Sequence, residues 1–231
     1  MIQLVMDWIS ELPEALLLRI LSSLPAKDVV ATMVLSKRWQ FLWTLVPRLV
    51  YDDSYKFIEF VTFSRFVDRS LILHEAPLLE TLHFKLSRIF GADDVRVWIK
   101  SAENRRVREL IIEIDKSSRK NPAILRRSLY NGCRVLVTLK LNNAVFVNAS
   151  SSPVSFPSLK TLSLVSVKYP GDEFVESLFS NCPVLEDLHV RRCGNDNVTI
   201  FTIKVPFLKR ISLDQQADGN KDGAHGKILS S

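Results

Sequence analysis

Four histidines (His74, His83, His189, His225) and three cysteines (Cys133, Cys182, Cys193) are the side chains of this 231-residue chain best suited to hold a metal or attack an electrophile. Their spacing suits neither task. Zinc sites need ligand pairs a few residues apart, and the chain has no HExxH and no CxxC. Serine nucleophiles of hydrolases sit in a strained G-x-S-x-G elbow, also absent. Asp93 and Asp94 are adjacent, which sets no acid–base separation. Phosphate-cradling GxGxxG and GxxxxGK runs are missing, and seven glycines are few for a nucleotide fold. The residues therefore assign no catalytic group, no metal and no cofactor. The cysteines read as small buried hydrophobes. Their odd number, without a disulfide framework, points to a reducing compartment, the nucleus and/or the cytoplasm.

Charge and hydropathy narrow the partners. The net charge of +6 is concentrated in residues 96–134, where eleven Lys/Arg face four acids. Such a stretch attracts polyanions at long range, but it lacks the aromatic interleaving of a single-strand binder, which argues against nucleic acid. No apolar run is long enough to span a bilayer. Met1–Asp7 is too short for a signal peptide and has no basic start. A membrane is therefore not an expected partner and nucleic acid is disfavoured, while the basic stretch leaves a small anion open.

Residues 12–47 are dense in helical periodicity. Leu16, Leu17, Ile20, Leu21 and Leu24 recur at three- and four-residue steps between Pro13 and Pro25. A second short helix follows with Asp28 as its expected cap, and a third with Ser36 as cap, carrying Trp39, Leu42 and Trp43 up to Pro47. Three helices in so few residues carry more apolar surface than their own core can hide, so some of it faces the rest of the chain or a partner.

The strings Asp7-Trp8-Ile9-Ser10-Glu11-Leu12-Pro13-Glu14, Ile20-Leu21-Ser22-Ser23-Leu24-Pro25, Leu35-Ser36-Lys37-Arg38-Trp39 and Leu42-Trp43 closely resemble an F-box. The resemblance implies a helical module that docks on a Skp-type adaptor of a cullin-based ubiquitin ligase. By position it implies that Leu12, Pro13, Leu16, Ile20, Leu21, Leu24 and Pro25 face the adaptor, and that Trp39 and Trp43 hold the third helix. Trp8 stands where plant relatives often carry Arg, and Met33 where a small polar residue is common.

Downstream, six segments fit L-x-x-L-x-L with apolar substitutions, beginning at Leu79, Val107, Leu136, Leu159, Leu185 and Leu208. Apolar residues are common enough that the pattern alone would recur by chance. Its spacing (28, 29, 23, 26 and 23 residues) is that of leucine-rich repeats. Pro77, Pro157, Pro183 and Pro206 each precede a first leucine by two residues, ending one element and launching an extended strand. Cys133 and Cys182 share a slot in two other units. The fold class is thus α/β: a three-helix F-box module at 1–50, a helical linker or cap at 51–75, about six repeats at 76–214 with parallel strands on the concave face, and a disordered tail at 215–231. Asp172 is the expected cap of a helix over 172–179, and 148–157 reads as a loop.

Strand alternation sends the polar residues of each unit to the concave face: Thr81, His83, Lys85; Glu109, Ile111, Glu113; Thr138, Lys140, Asn142; Thr161, Ser163, Val165; Asp187, His189, Arg191; Arg210, Ser212, Asp214. Among these, Lys85, Lys140, His189, Arg191 and Arg210 are candidates to contact acidic groups of a target. An F-box followed by such repeats resembles the plant F-box/FBD/LRR proteins, with the FBD region apparently missing and a shortened form implied. The implied function is non-enzymatic: the F-box docks the adaptor and the repeats bind a target protein. The alternative is a stand-alone leucine-rich-repeat scaffold or a small-ligand or anion sensor with no ligase role.

Overall fold

The computed structural model describes residues 9, 11–54, 60–87, 92–115, 123–125, 133–147, 154–215 and 227–230. Proline sets the first helix boundaries. Pro13 and Pro25, with φ near the ring-fixed value (−55° and −60°), are the N-cap positions of α1 (Glu14–Leu21) and α2 (Ala26–Ala31). Asp28 is therefore inside the first turn of α2 rather than its cap, where its carboxylate meets the positive end of the helix dipole. A 3-10 turn at Thr32–Val34 leads to α3 (Trp39–Leu42), and a second follows at Trp43–Leu45. Ser36 meets this last helix through its carbonyl, which accepts from Trp39 N and Gln40 N, and not through a capping hydroxyl. Leu17, Leu21, Val29, Trp39, Leu42, Trp43 and Val46 form a small core of their own.

Each of the six expected repeat starts leads, two residues later, into a strand: β2 (Thr81–Leu86), β3 (Glu109–Ile114), β5 (Thr138–Asn142), β7 (Thr161–Val165), β8 (Asp187–Arg192) and β10 (Arg210–Gln215). A seventh, β1 (Arg48–Asp52), precedes them, and the parallel order is β1-β2-β3-β5-β7-β8-β10. The sheet thus begins ahead of residue 76, and β1 straddles the boundary expected at 50/51. Val46-x-x-Leu49-x-Tyr51 is the same pattern, hidden by Pro47 and by a longer gap to Leu79. Register is exact in type as well as place. Leu49, Leu82, Leu110, Leu139, Leu162, Leu188 and Ile211 align in one inward row, and Tyr51, Phe84, Ile112, Leu141, Leu164, Val190 and Leu213 in the next.

The opposite layer holds α4 (Phe60–Leu73), α5 (Ala92–Asn104), α6 (Asp172–Ser180) and two short parallel pairs, β4 (Ala123–Leu125) with β6 (Ala144–Phe146) and β9 (Ile200–Ile203) with β11 (Lys227–Ser230). The expectation of a disordered tail is corrected at 227–230, which satisfy the open backbone edge of β9; 216–226 and 231 lie outside the described residues. So do 148–153 of the expected loop. Asp172 starts α6 but does not cap it: its carboxylate accepts from Thr199 N and Ile200 N (2.8 and 3.1 Å), tying the helix to β9. Aromatic stacking fills the first units, with Phe84 between Tyr51 (5.4 Å) and Trp98 (5.3 Å). The Tyr51 hydroxyl meets Ser70 Oγ at 2.8 Å, and Trp98 Nε1 donates to Asp68 at 2.9 Å, so both polar tips are satisfied.

Candidate functional site

Helix α1 has two apolar faces. Leu17 and Leu21 point into the small core, while Leu16 and Ile20, also four apart, are each 46% exposed. The expected set therefore divides. Pro13, Leu16 and Ile20 lie at the surface, Leu12 and Leu24 are half-buried against the small core, and Leu21, 1% exposed, is corrected to a core residue. Pro25 lines an apolar cavity of about 180 Å³ with Tyr51, Phe63 and Phe66, between the helical module and the sheet. Trp39 and Trp43 are buried and hold the third helix. Sequence reasoning missed Val34, Leu35 and Phe41, exposed by 83%, 62% and 66%. The only available signal was that these apolar residues lie off the stripe that carries Trp39, Leu42 and Trp43.

The module is fixed to the sheet through its backbone. Thr44 O accepts from Glu75 N and Ala76 N, Pro47 O accepts from Glu80 N and Thr81 N, and His74 Nε2 lies 2.8 Å from Val46 O. Ala26, on α2, belongs to the large core of the sheet.

On the concave face the polar residues form three in-register rows. In the first, Arg48, Thr81, Glu109, Thr138, Thr161, Asp187 and Arg210 align; Val50, His83, Ile111, Lys140, Ser163, His189 and Ser212 form the second; Asp52, Lys85, Glu113, Asn142, Val165, Arg191 and Asp214 form the third. Three of the five expected target contacts are held by the chain's own acids. Lys140 lies 3.7 Å from Glu109, Arg191 lies 3.6 Å from Asp214, and Arg210 lies 2.5 Å from Asp187. Lys85 sits at a cleft of about 250 Å³ beside Asp52, Asp53, Glu113 and Asp115, so acidity dominates this end. His189 is half-buried between Ser163 and Ser212.

Thr81, His83 and Ile111 stand in the concave rows as expected, but they are buried there. A concave sheet crowds its inner side chains, and His83 is flanked by Val50 and Ile111. Its ring lies 3.3 Å from Glu113, and burial holds its pKa below the ordinary value although Glu113 pulls the other way. At the strand entrances Lys160 (3.1 Å) and Lys209 (2.6 Å) flank Glu186 and hold its carboxyl below the usual range. Burial pushes the Cys182 thiol up to about 12, which keeps it protonated and unreactive at neutral pH.

Of the basic 96–134 stretch, Arg105 turns inward to His74 and to Leu71 O, while Lys116, Arg119, Lys120, Arg126 and Arg127 lie outside the described residues. Among the described residues no group of three His, Cys, Asp or Glu could hold a metal, and no helix is long and apolar enough to cross a membrane.

A helical module with an unsatisfied apolar face, seated on the first strand of a leucine-rich-repeat sheet, defines an F-box/leucine-rich-repeat protein. Comparison agrees: the F-box domain family matches residues 9–51, and the family described as FBD-associated F-box protein At5g56370, LRR repeats, matches residues 95–220. The chain belongs to this FBD-associated F-box family. It is 66% identical over 212 residues to probable FBD-associated F-box protein At1g32375 of Arabidopsis thaliana, covering 91% of this chain and 50% of that relative. It is 47% identical to F-box/FBD/LRR-repeat protein At5g56420 (94% and 52%) and 45% identical to F-box/LRR-repeat protein At3g26922 (92% and 69%), both of the same plant. The chain spans about half the length of the first two.

Proposed function

We propose that the chain is the substrate-recognition subunit of a Skp–cullin–F-box ubiquitin ligase, working in the nucleus and/or cytoplasm. The observation that carries this reading is the second apolar face of α1: Leu16 and Ile20 stay exposed although the module has a core of its own, and Val34, Leu35 and Phe41 are exposed with them. Isolated exposed hydrophobes mean little, but several on one small module suit a protein partner. The concave rows, varied in charge and size, would hold the target. Ubiquitin transfer then gains from proximity alone, since holding a target beside a charged conjugating enzyme raises its effective concentration. No residue of this chain has to touch the thioester.

The test is a pull-down with purified Skp-type adaptor. The double variant Leu16→Lys, Ile20→Lys should lose adaptor binding while its circular dichroism and melting temperature match the wild type. Undiminished binding would overturn the proposal.

A further inference from the structure

The cavity of about 180 Å³ between the helical module and the sheet is where rigid rings from separate elements meet. Its apolar lining runs from the buried Tyr51 and Phe63 to the half-buried Pro25, Val50 and Phe66. Lys27, Asp52 and Thr62 complete it, and Thr62, exposed in the first turn of α4, marks the mouth. Tyr51 meets Phe66 edge-on (6.0 Å, 69°), and planar side chains held at such an angle leave a gap that the short side chains of Pro25, Val50 and Thr62 do not fill. The Tyr51 hydroxyl is taken by Ser70 Oγ at 2.8 Å, so this side chain offers the cavity its ring. Water needs two to four polar partners, which such walls do not supply, and an apolar space of about 150 Å³ already admits benzene.

We propose that this cavity is a binding site for a small neutral molecule built on one aromatic ring. Volume sets the size, since one ring fills the space with little room left over. Tyr51, Phe63 and Phe66 set the shape, because their faces and edges suit stacked and edge-on contact with another ring. A rigid ring also gives up less freedom on binding than an aliphatic chain of equal volume. Neutrality follows from the polar lining. Lys27 and Asp52 carry opposite charges, and Asp52 already accepts from Ser54 N at 2.9 Å, so nothing here draws in an ion of either sign. A charged group carried past them would lose its water against Pro25, Val50 and the three rings without gaining a partner.

The position of the cavity gives occupancy a consequence. A bound ring touches Pro25, which starts α2 of the helical module, together with Val50 and Tyr51 of the first strand and Phe63 and Phe66 of α4. It therefore bridges the two parts of the molecule and stabilises the joint between them. Leu16 and Ile20, the exposed face of α1, do not line the cavity, so ligand and adaptor occupy separate surfaces. The site is thus independent of the adaptor-docking reading.

Toluene added to the full chain tests this directly. At a free concentration of about ten times its dissociation constant it should raise the melting temperature by about 3 °C. Its ring current should shift the methyl resonances of Val50. Val50→Phe puts a ring into the space and should weaken toluene binding at least about tenfold while circular dichroism stays that of the wild type. Thr62→Trp, made at the exposed mouth and so without disturbing the core, should do the same. Benzoate, similar in size but charged, should bind at least about tenfold more weakly than toluene. Absence of any toluene-induced shift overturns the proposal. So does binding that survives both variants, or benzoate binding as tightly as toluene. Displacement of toluene by purified Skp-type adaptor would also overturn it, because the cavity would then take a partner's side chain.

Discussion

His74 joins three elements through one ring. Nε2 meets Val46 O at 2.8 Å, and Nδ1 lies 2.9 Å from a guanidinium nitrogen of Arg105. A carbonyl only accepts and a guanidinium only donates, so the proton belongs on Nε2 and the ring is neutral. Burial holds its pKa below the ordinary 6.5; the Val46 carbonyl opposes that shift and the Arg105 charge adds to it. Above about pH 6.5 neither state is protonated, and the stability from the neutral ring is complete. Below that value the unfolded chain takes the proton first, so stability is lost down to the lowered folded pKa. His83, shifted the same way, adds to the loss. The unfolding free energy from urea titrations should fall on acidification, by at most about 1.4 kcal/mol per pH unit for each histidine, and less steeply in His74→Gln. An unchanged slope in that variant would refute the assignment.

A buried ion pair lies in the last repeats. Asp196, 3% exposed, accepts from Arg192 Nε at 2.7 Å and from Val198 N at 3.1 Å, while Arg192 stands 5.4 Å over the Phe201 ring. Asp196→Ala strands the guanidinium and should cost about 3–5 kcal/mol by chemical denaturation. Adding Arg192→Met should recover part of that loss, because no unpaired charge then remains.

At the scale of single elements, α1 makes the sharpest comparison, since adjacent leucines have opposite surroundings. Leu17→Ala empties a site in a core of only seven buried residues and should cost about 2–5 kcal/mol. Leu16→Ala should change thermal stability by no more than about 0.5 kcal/mol. Periodicity could not separate the two. A helix apolar on both sides carries two stripes at the same spacing, and the sequence does not say which one the Trp39 and Trp43 rings cover. The F-box resemblance, carried over by position, implies an outward Leu21 because it transfers places in a motif and not burial. The strands were legible because proline and leucine offsets are local signals, repeated six times. The first strand was not, because Pro47 reads equally well as the end of a helix. Burial of Thr81, His83 and Ile111 was hidden for a different reason: alternation gives the side of a sheet, whereas exposure on a concave side depends on how strongly it curves.

Across the whole molecule, α2 divides its apolar residues between two cores, Val29 to the helical module and Ala26 to the solenoid. Thr44 O, Val46 O and Pro47 O, consecutive but for one residue, all accept hydrogen bonds from the solenoid side. Such a joint cannot swing without breaking buried hydrogen bonds and opening the end of the repeat stack. A three-helix module of this size is also too small to be stable by itself. The two parts should therefore unfold together. Calorimetry of the full chain should give one transition, and Ala26→Asp, which places an unpaired carboxylate where side-chain exposure is 1%, should lower that single transition instead of splitting it. Two resolved transitions in the wild type would mean that the joint is loose. A rigid joint fixes the direction in which the concave face points relative to Leu16 and Ile20, so any protein gripped at one surface is presented at a set angle to whatever grips the other.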